Sequence, residues 1–175
     1  MKIGLFYGST TCYTEMAAEK IQAALGEELV ELNNIKDISL TESEKYDIII
    51  FGISTWDYGE LQEDWESHWG TAGDLNLSGK IVALYGMGDQ VGYAEWFQDA
   101  LGMLHEQLTP TDCHFIGYWP NSGYEFKASK ALTDDQSQFV GLSIDDENQY
   151  DITEQRIDQW TTQLLEEIEA LLSDN

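Results

Sequence analysis

Three short stretches of this chain carry residue types that could do chemistry. The first is Gly8-Ser9-Thr10-Thr11-Cys12-Tyr13-Thr14, which brings the hydroxyls of Ser9, Thr10, Thr11 and Thr14 to the start of a helix-forming segment. Free backbone N–H groups and the positive end of the helix dipole favour an anion there. The stretch holds no Lys or Arg, and it matches neither GxxxxGKS/T nor GxGxxG. A hydroxyl-rich cradle without a cation suits one terminal phosphate; a plain helix cap needs one hydroxyl, not several. The second stretch is Ser54-Thr55-Trp56-Asp57-Tyr58-Gly59, and the third is Gly86-Met87-Gly88-Asp89-Gln90-Val91-Gly92-Tyr93. Trp56 and Tyr93, on neighbouring loops, can sandwich a flat ring. Gly88 and Gly92 let the backbone approach its edge. Asp57, Glu60, Asp89 and Glu95 are expected around that ring, where they oppose its becoming anionic. The three stretches describe a ligand with one phosphate end and one flat aromatic end.

The elements that position these stretches follow from the apolar pattern. Ile3–Tyr7 is a short apolar run closed by a turn. Glu15–Leu25 has apolar residues at helical spacing, and Leu29–Leu32 reads as a weaker strand. Tyr46–Ile53 contains Ile48-Ile49-Ile50-Phe51, apolar on both faces, as in a parallel strand covered above and below. Leu61–Trp69 and Tyr93–Leu108 read as helices, and Ile81–Tyr85 and Cys113–Trp119 as strands. The last segment sets Ile157, Trp160, Leu164, Ile168 and Leu171 on one helical face, with Asp151 and Glu154 spaced to cap its start. Strands alternating with helices predict an α/β fold on a parallel sheet, with ligands outside the carboxyl ends of the strands. Asn121–Gln138 is polar and without period. It reads as an insertion that splits the last strand or adds a small subsheet, with Phe139-Val140-Gly141-Leu142 returning to strand.

The 175 residues predict one domain over 1–175. Eight Lys+Arg against 33 Asp+Glu give a net charge of −25. That excludes an ordinary nucleic-acid binder and an anionic membrane surface, and it favours basic partners. Six Trp and nine Tyr oppose disorder. No apolar run reaches the roughly 18 residues of a membrane span. Met1–Gly8 is too short and too aromatic for a signal peptide and is read as mature sequence. Cys12 and Cys113 lack framework spacing, so a reduced, cytoplasmic compartment is expected.

These residues resemble the flavodoxin family, in its long-chain bacterial form, over essentially the whole chain. Ile3-Gly4-Leu5-Phe6-Tyr7-Gly8-Ser9-Thr10-Thr11 is similar to that family's phosphate-binding signature. Thr55-Trp56-Asp57 and Gly88-Asp89-Gln90-Val91-Gly92-Tyr93 are similar to its two ring-binding loops, and 121–138 falls where long-chain members carry their insertion. Cys12-Tyr13 and Trp56-Asp57-Tyr58-Gly59-Glu60 look closest to the flavodoxin 2 variant. The resemblance implies a three-layer sandwich whose five parallel strands run in the order 2-1-3-4-5, with an insertion of about 120–138 in the last strand. It implies noncovalent FMN and low-potential single-electron transfer, without catalysis and so without catalytic residues. Carried over, Ser9, Thr10, Thr11, Cys12, Tyr13 and Thr14 bind the phosphate, and Trp56 and Tyr93 stack on the isoalloxazine. The backbone around Asp57 and Tyr58 meets the N5 edge, Asp89 and its neighbour Gly88 meet the pyrimidine side, and Thr55 and Gly59 are counted among the cofactor-binding residues. Gln98 matches a position that reaches that side in some members, and Asp146 or Glu147 falls near the ribityl chain. Two departures stand out: the family usually has Gly at the position of Cys12, and many members have Asn at that of Asp57. The implied partners are an NADPH-dependent ferredoxin/flavodoxin reductase and acceptor enzymes, each presenting a basic surface to a monomer.

Other chemistries fit less well. A phosphoacceptor receiver would need paired acids after the first strand, where Gly8-Ser9 stands, and a Lys ending the fifth, where Trp119-Pro120 stands. A low-molecular-weight tyrosine phosphatase would need Arg six residues after Cys12, where Ala18 stands. His68, His105 and His114 show no zinc-ligand pairing, and Asp145-Asp146-Glu147-Asn148 lacks the turn glycine of a calcium loop. The competing function is an NAD(P)H-dependent flavin or quinone reductase on the same scaffold. It needs a second pocket and cations for the nucleotide's phosphates, and no basic residue looks placed to supply them. A non-catalytic FMN-binding regulator is a third reading.

Overall fold

In a computed structural model that describes residues 1–174, apolar alternation with helices resolves into a parallel sheet covered on both faces. β1 (Ile3–Tyr7), β2 (Val30–Asn34), β3 (Ile48–Trp56), β4 (Ile81–Met87) and β5 (His114–Ile116) stand in the order 2-1-3-4-5. β1, β4 and the first six residues of β3 are buried throughout, which explains their unbroken apolar runs. α1 (Tyr13–Leu25) packs with α5 (Thr153–Ser173), and α3 (Trp69–Gly73) packs with α4 (Asp99–Leu108). Trp65, Trp160, Tyr85, Phe6, Phe51 and Phe97 supply the largest fully buried side chains. The accessible surface, 8391 Å², agrees with the roughly 8,600 Å² that area scaling gives for a folded chain of this mass.

The last strand is divided. β5 pairs with Ile81–Ala83, and a later strand, Leu142–Ile144, pairs in parallel with Tyr85–Met87. The segment between them leaves the sheet at Gly117 (φ 79°), where Trp119–Pro120 pairs antiparallel with Gln138–Phe139. Thus the strand read over Cys113–Trp119 ends early at Ile116. The one read over Phe139–Leu142 is two strands, one in the small subsheet and one in the main sheet. Phe126, Tyr124 and Phe139 of this insertion surround Phe97 with ring centroids 5.2–5.7 Å apart, so it adds its own apolar layer.

Three further expectations are corrected. Helix α4 begins at Asp99, not Tyr93, because the Asp89 carboxylate captures the N–H groups of Val91 and Gly92 and Gln98 sits at φ 60°; both hold residues 89–98 in turns. Leu61–Trp69 is not one helix: α2 (Glu63–Ser67) is followed by a break at His68. Asp151 does not cap α5. It lies in a 3-10 turn, Tyr150–Ile152, which places Ile152 at the cap with no side-chain hydrogen bond.

The Trp160 indole is fully buried on α5 and donates from Nε1 to the Gly117 carbonyl at 2.8 Å, at the point where the insertion departs. Trp160→Phe keeps most of the packing and strands that carbonyl, so it is expected to lower unfolding free energy by about 1–3 kcal/mol in urea titration.

Candidate functional site at the carboxyl ends of the sheet

Strand register brings the three unusual stretches together. Tyr7, Gly52 and Tyr85 are side by side in β1, β3 and β4, and Ser54, Met87 and Ile144 continue the row. The loops that follow open onto one cleft of about 250 Å³. Thr11 and Tyr13 line it from the first loop, and Thr55, Trp56 and Asp57 from the second. Gly88, Asp89 and Tyr93 come from the third, with Asp146 and Glu147 following Ile144.

The first loop is an arrangement of donors. Among the described residues, none of the backbone N–H groups from Ser9 to Glu15 has an acceptor in the chain; the first to be satisfied is that of Met16, on the Cys12 carbonyl. Ser9 Oγ is buried and also lacks a partner. Polar groups of this kind are normally paired. The loop's shape is nevertheless fixed from below. Gln62 is fully buried and donates from Nε2 to Thr10 Oγ1 at 3.0 Å, while its Oε1 accepts from the N–H groups of Asp64 and Trp65. A Cβ on Gly8 would meet that Oε1 at 2.3 Å, so only glycine permits the brace. The Thr14 carbonyl accepts from the buried Tyr85 hydroxyl at 2.8 Å. Cys12 is exposed at φ 70°, a left-handed conformation that favours glycine.

The ring-sized part of the cleft has aromatic and acidic walls. Trp56 is oriented by donation from Nε1 to Ser54 Oγ at 2.9 Å. Tyr93 meets the Tyr58 ring edge-on at 6.3 Å, and Tyr58 in turn meets Trp96 at 4.9 Å. Between Trp56 and Glu60, which pair across a tight turn, Asp57 (φ 45°) and Gly59 (φ 88°) both take left-handed backbone. Burial raises the Asp89 carboxyl's affinity for a proton. The N–H of Gly92, the Asn148 amide and the N–H of Val91 outweigh it and hold the group below its usual range. Asp146 is shifted up, chiefly by burial, although the Thr153 hydroxyl donates to it. The cleft lining carries Asp57, Asp89, Asp146 and Glu147 and no Lys or Arg.

A flavodoxin family model matches residues 5–160. The chain belongs to the flavodoxin family. It is 58% identical to Flavodoxin 2 of Escherichia coli strain K12, over 96% of this chain and 97% of that one. It is 47% identical to a flavodoxin of Synechococcus elongatus, over 95% and 97%. The crystal structure of Fusobacterium nucleatum flavodoxin bound to flavin mononucleotide superposes with a TM-score of 0.89 at 26% identity, covering 95% of this chain and 98% of that one.

Within this flavodoxin, several residues singled out in the sequence do not line the cleft. Tyr58 is 69% exposed at its rim, where its ring props Tyr93. Gly59 lies against Asp99, whose Oδ2 a Cβ there would meet at 2.8 Å. Ser9, Thr10, Cys12 and Thr14 shape the loop beside Thr11 and Tyr13. Gln98 is fully buried beneath the cleft, donating from Nε2 to the carbonyls of Gly86 and Ile144, and so ties the ends of two strands. Glu60 and Glu95 are exposed and outside the lining; the acidic wall comes instead from Asp146 and Glu147 beside Asp57 and Asp89. Ser54 and Met87 also line the cleft. Both belong to the second and third stretches singled out in the sequence, and the register of β3 with β4 sets them side by side.

Thr55 has a second task. Its Oγ1 accepts the Ala100 N–H at 3.0 Å, capping the first turn of α4, which packs on β3. Thr55→Val is expected to cost about 0.5–2 kcal/mol of stability, the usual range for a lost helix cap, measurable by chemical unfolding of the apoprotein.

Proposed function

We propose that this flavodoxin is an electron carrier built on one noncovalently bound FMN. The observation that carries this reading is the run of unpartnered donors, Ser9 through Glu15 with Ser9 Oγ, at one end of a cleft flanked by Trp56 and Tyr93. The donor set suits a phosphate without a counter-cation, and the flanking aromatics suit a flat ring, so FMN fits at both ends. Bound there, FMN supplies reversible one-electron chemistry.

The chain's own residues do the rest. The Ser9–Glu15 amides and the Ser9, Thr10, Thr11 and Thr14 hydroxyls hold the phosphate. Trp56 and Tyr93 exclude water from the two ring faces. The turn at Asp57–Gly59 would present backbone groups at the ring edge, where a carbonyl oxygen can accept a hydrogen bond from a ring N–H. Asp57, Asp89, Asp146 and Glu147 set a negative field that disfavours added negative charge. The absence of Lys and Arg from the lining leaves nothing to hold the phosphates of a second nucleotide, which favours a carrier over an NAD(P)H-dependent reductase. Purified protein should be yellow, and it should oxidise NADPH only when a reductase is supplied. Turnover of NADPH by the chain alone would sink the carrier reading.

In the same reading, an NADPH-dependent reductase and the acceptor enzymes meet a monomer in the cytoplasm through basic surfaces. The net charge of −25 supports the basic character of the surfaces that dock here. Association with a basic reductase should therefore slow as ionic strength rises, by stopped-flow measurement. A rate that does not depend on salt would argue against charge-steered docking.

The stacking role has its own test. Edge and face contacts of aromatic pairs contribute roughly 0.5–1.5 kcal/mol beyond burial, so Trp56→Ala and Tyr93→Ala should each weaken FMN binding about threefold to tenfold or more. Flavin fluorescence, quenched on binding to wild type, should recover in part in the Trp56→Ala complex at saturation. If both variants bind and quench like wild type, the two rings do not sandwich the flavin.

A further inference from the structure

Behind the acidic wall of the cleft runs a line of buried polar groups that the carrier reading does not use. Gln90 belongs to the third loop, is 2% exposed, and does not line the cleft. Its backbone N–H and its Nε2 both donate to Asp145 Oδ2, at 3.0 and 2.8 Å. Nε2 also reaches Gln149 Oε1 at 2.7 Å, and Oε1 accepts the backbone N–H of Glu125, in the insertion, at 2.5 Å. Gln149 extends the line: Arg156 donates to its Oε1 at 2.7 Å, and its Nε2 donates to the Gly123 carbonyl of the insertion at 3.0 Å.

Asp145 is fully buried, and its Oδ1 accepts the N–H groups of Glu147 and Asn148 at 3.1 and 3.0 Å. Those bonds set the turn that carries Asp146 and Glu147 to the cleft. The Asn148 side chain closes the arrangement by donating to Asp89 Oδ1 at 2.7 Å and to Asp145 Oδ2 at 2.8 Å. One buried amide therefore touches the 88–93 loop, the 145–149 turn and the insertion. Removing its side chain leaves the Glu125 N–H without that acceptor and takes one of three donors from the buried Asp145 Oδ2, which keeps the Gln90 backbone N–H and the Asn148 amide.

We propose that Gln90 is a positioning residue that couples the insertion to the cleft. It holds the loop of Tyr93 and the turn of Asp146 and Glu147 in one arrangement, with the insertion as the third support. The grip on the ring end of the ligand then depends on a segment that does not touch the ligand. The proposal rests on the FMN reading. By linkage, a ligand that orders the two cleft segments also protects the insertion.

The test compares wild type, Gln90→Ala, Gln149→Ala and the double variant, each binding FMN and riboflavin, with hydrogen exchange over 121–126. Gln90→Ala should weaken both ligands about tenfold by the same factor, because only the ring end is disturbed; the FMN-to-riboflavin ratio should stay as in wild type. Gln149→Ala should weaken both less, and the double variant should bind like Gln90→Ala alone, as residues in one network do. FMN should slow exchange over 121–126 in wild type and not in Gln90→Ala. Wild-type-like affinity in both single variants, a collapsed ligand ratio, or FMN protection of 121–126 that survives Gln90→Ala would each overturn the proposal. Should Gln90→Ala fail to fold, Gln149→Ala decides by the same criteria. A wild-type chain that binds neither ligand would overturn the carrier reading itself.

Discussion

Riboflavin should bind this flavodoxin roughly a hundred-fold to ten-thousand-fold more weakly than FMN. The two ligands share the ring and the ribityl chain, so the difference isolates the phosphate. In the first loop, the N–H groups from Ser9 to Glu15 and the Ser9 hydroxyl have no partner among the described residues. A hydrogen bond to a charged group contributes about 1.5–3 kcal/mol, so two that are lost with the phosphate already amount to about 3–6 kcal/mol. Thr11→Ala should remove one such bond and weaken FMN while leaving riboflavin nearly unchanged. Thr14 is a less clean probe, because it is 2% exposed and its carbonyl anchors the Tyr85 hydroxyl. Fluorescence titration of the apoprotein with each ligand makes the measurement. Equal affinities would show that the donor-rich loop is not a phosphate site.

The second large effect is electrical. The bound group should take up two electrons at well-separated potentials, the second lower, because that electron adds negative charge beside Asp57, Asp89, Asp146 and Glu147. At an effective dielectric of about 40, one charge about 10 Å away costs about 0.8 kcal/mol. With about 59 mV per tenfold for one electron, that is roughly 35 mV per carboxylate before salt screening. Asp57→Asn and Glu147→Gln should each raise the second potential by about that amount, the first potential less, and both shifts should shrink at high salt. Asp89 is a poorer choice than its place in the sequence suggested. Its Oδ1 holds the N–H groups of Val91 and Gly92 and the Asn148 amide, so Asp89→Asn would disturb the loop as well as the charge. A single two-electron wave in a potentiometric titration, or potentials unmoved by either neutralisation, would rule out this account of the separation.

The sign of the acid response follows from the same carboxylate. The folded-state pKa of Asp89 is lowered, so the stability it contributes is present above its unfolded value near 3.8 and is lost as pH falls through the lower folded one. The 89–92 loop should therefore keep its shape through mild acid. Flavin release in a pH titration that begins well above pH 4 would have to arise elsewhere.

The sequence alone determined the sheet and the chemistry of its loops, for physical reasons that act locally. Ile48-Ile49-Ile50-Phe51 is apolar at every position because both of its faces are covered, and that pattern reads without coordinates. Hydroxyls without a cation before a helix, and Trp56 and Tyr93 on loops after strands, are signals of composition over a few residues. Tertiary structure decided everything that depends on which distant residues meet. Ser54 and Met87 enter the cleft because β3 and β4 align Ser54 with Met87. Asp146 and Glu147 replace Glu60 and Glu95 in its acidic wall because Leu142–Ile144 pairs with Tyr85–Met87 and ends beside it. Helix α4 starts at Asp99 although helix formers precede it, because the Asp89 carboxylate and the left-handed Gln98 hold that chain in turns. The tie from Gln90 through Asp145 to the insertion joins residues 55 positions apart in the chain, a distance over which no periodicity or spacing carries information.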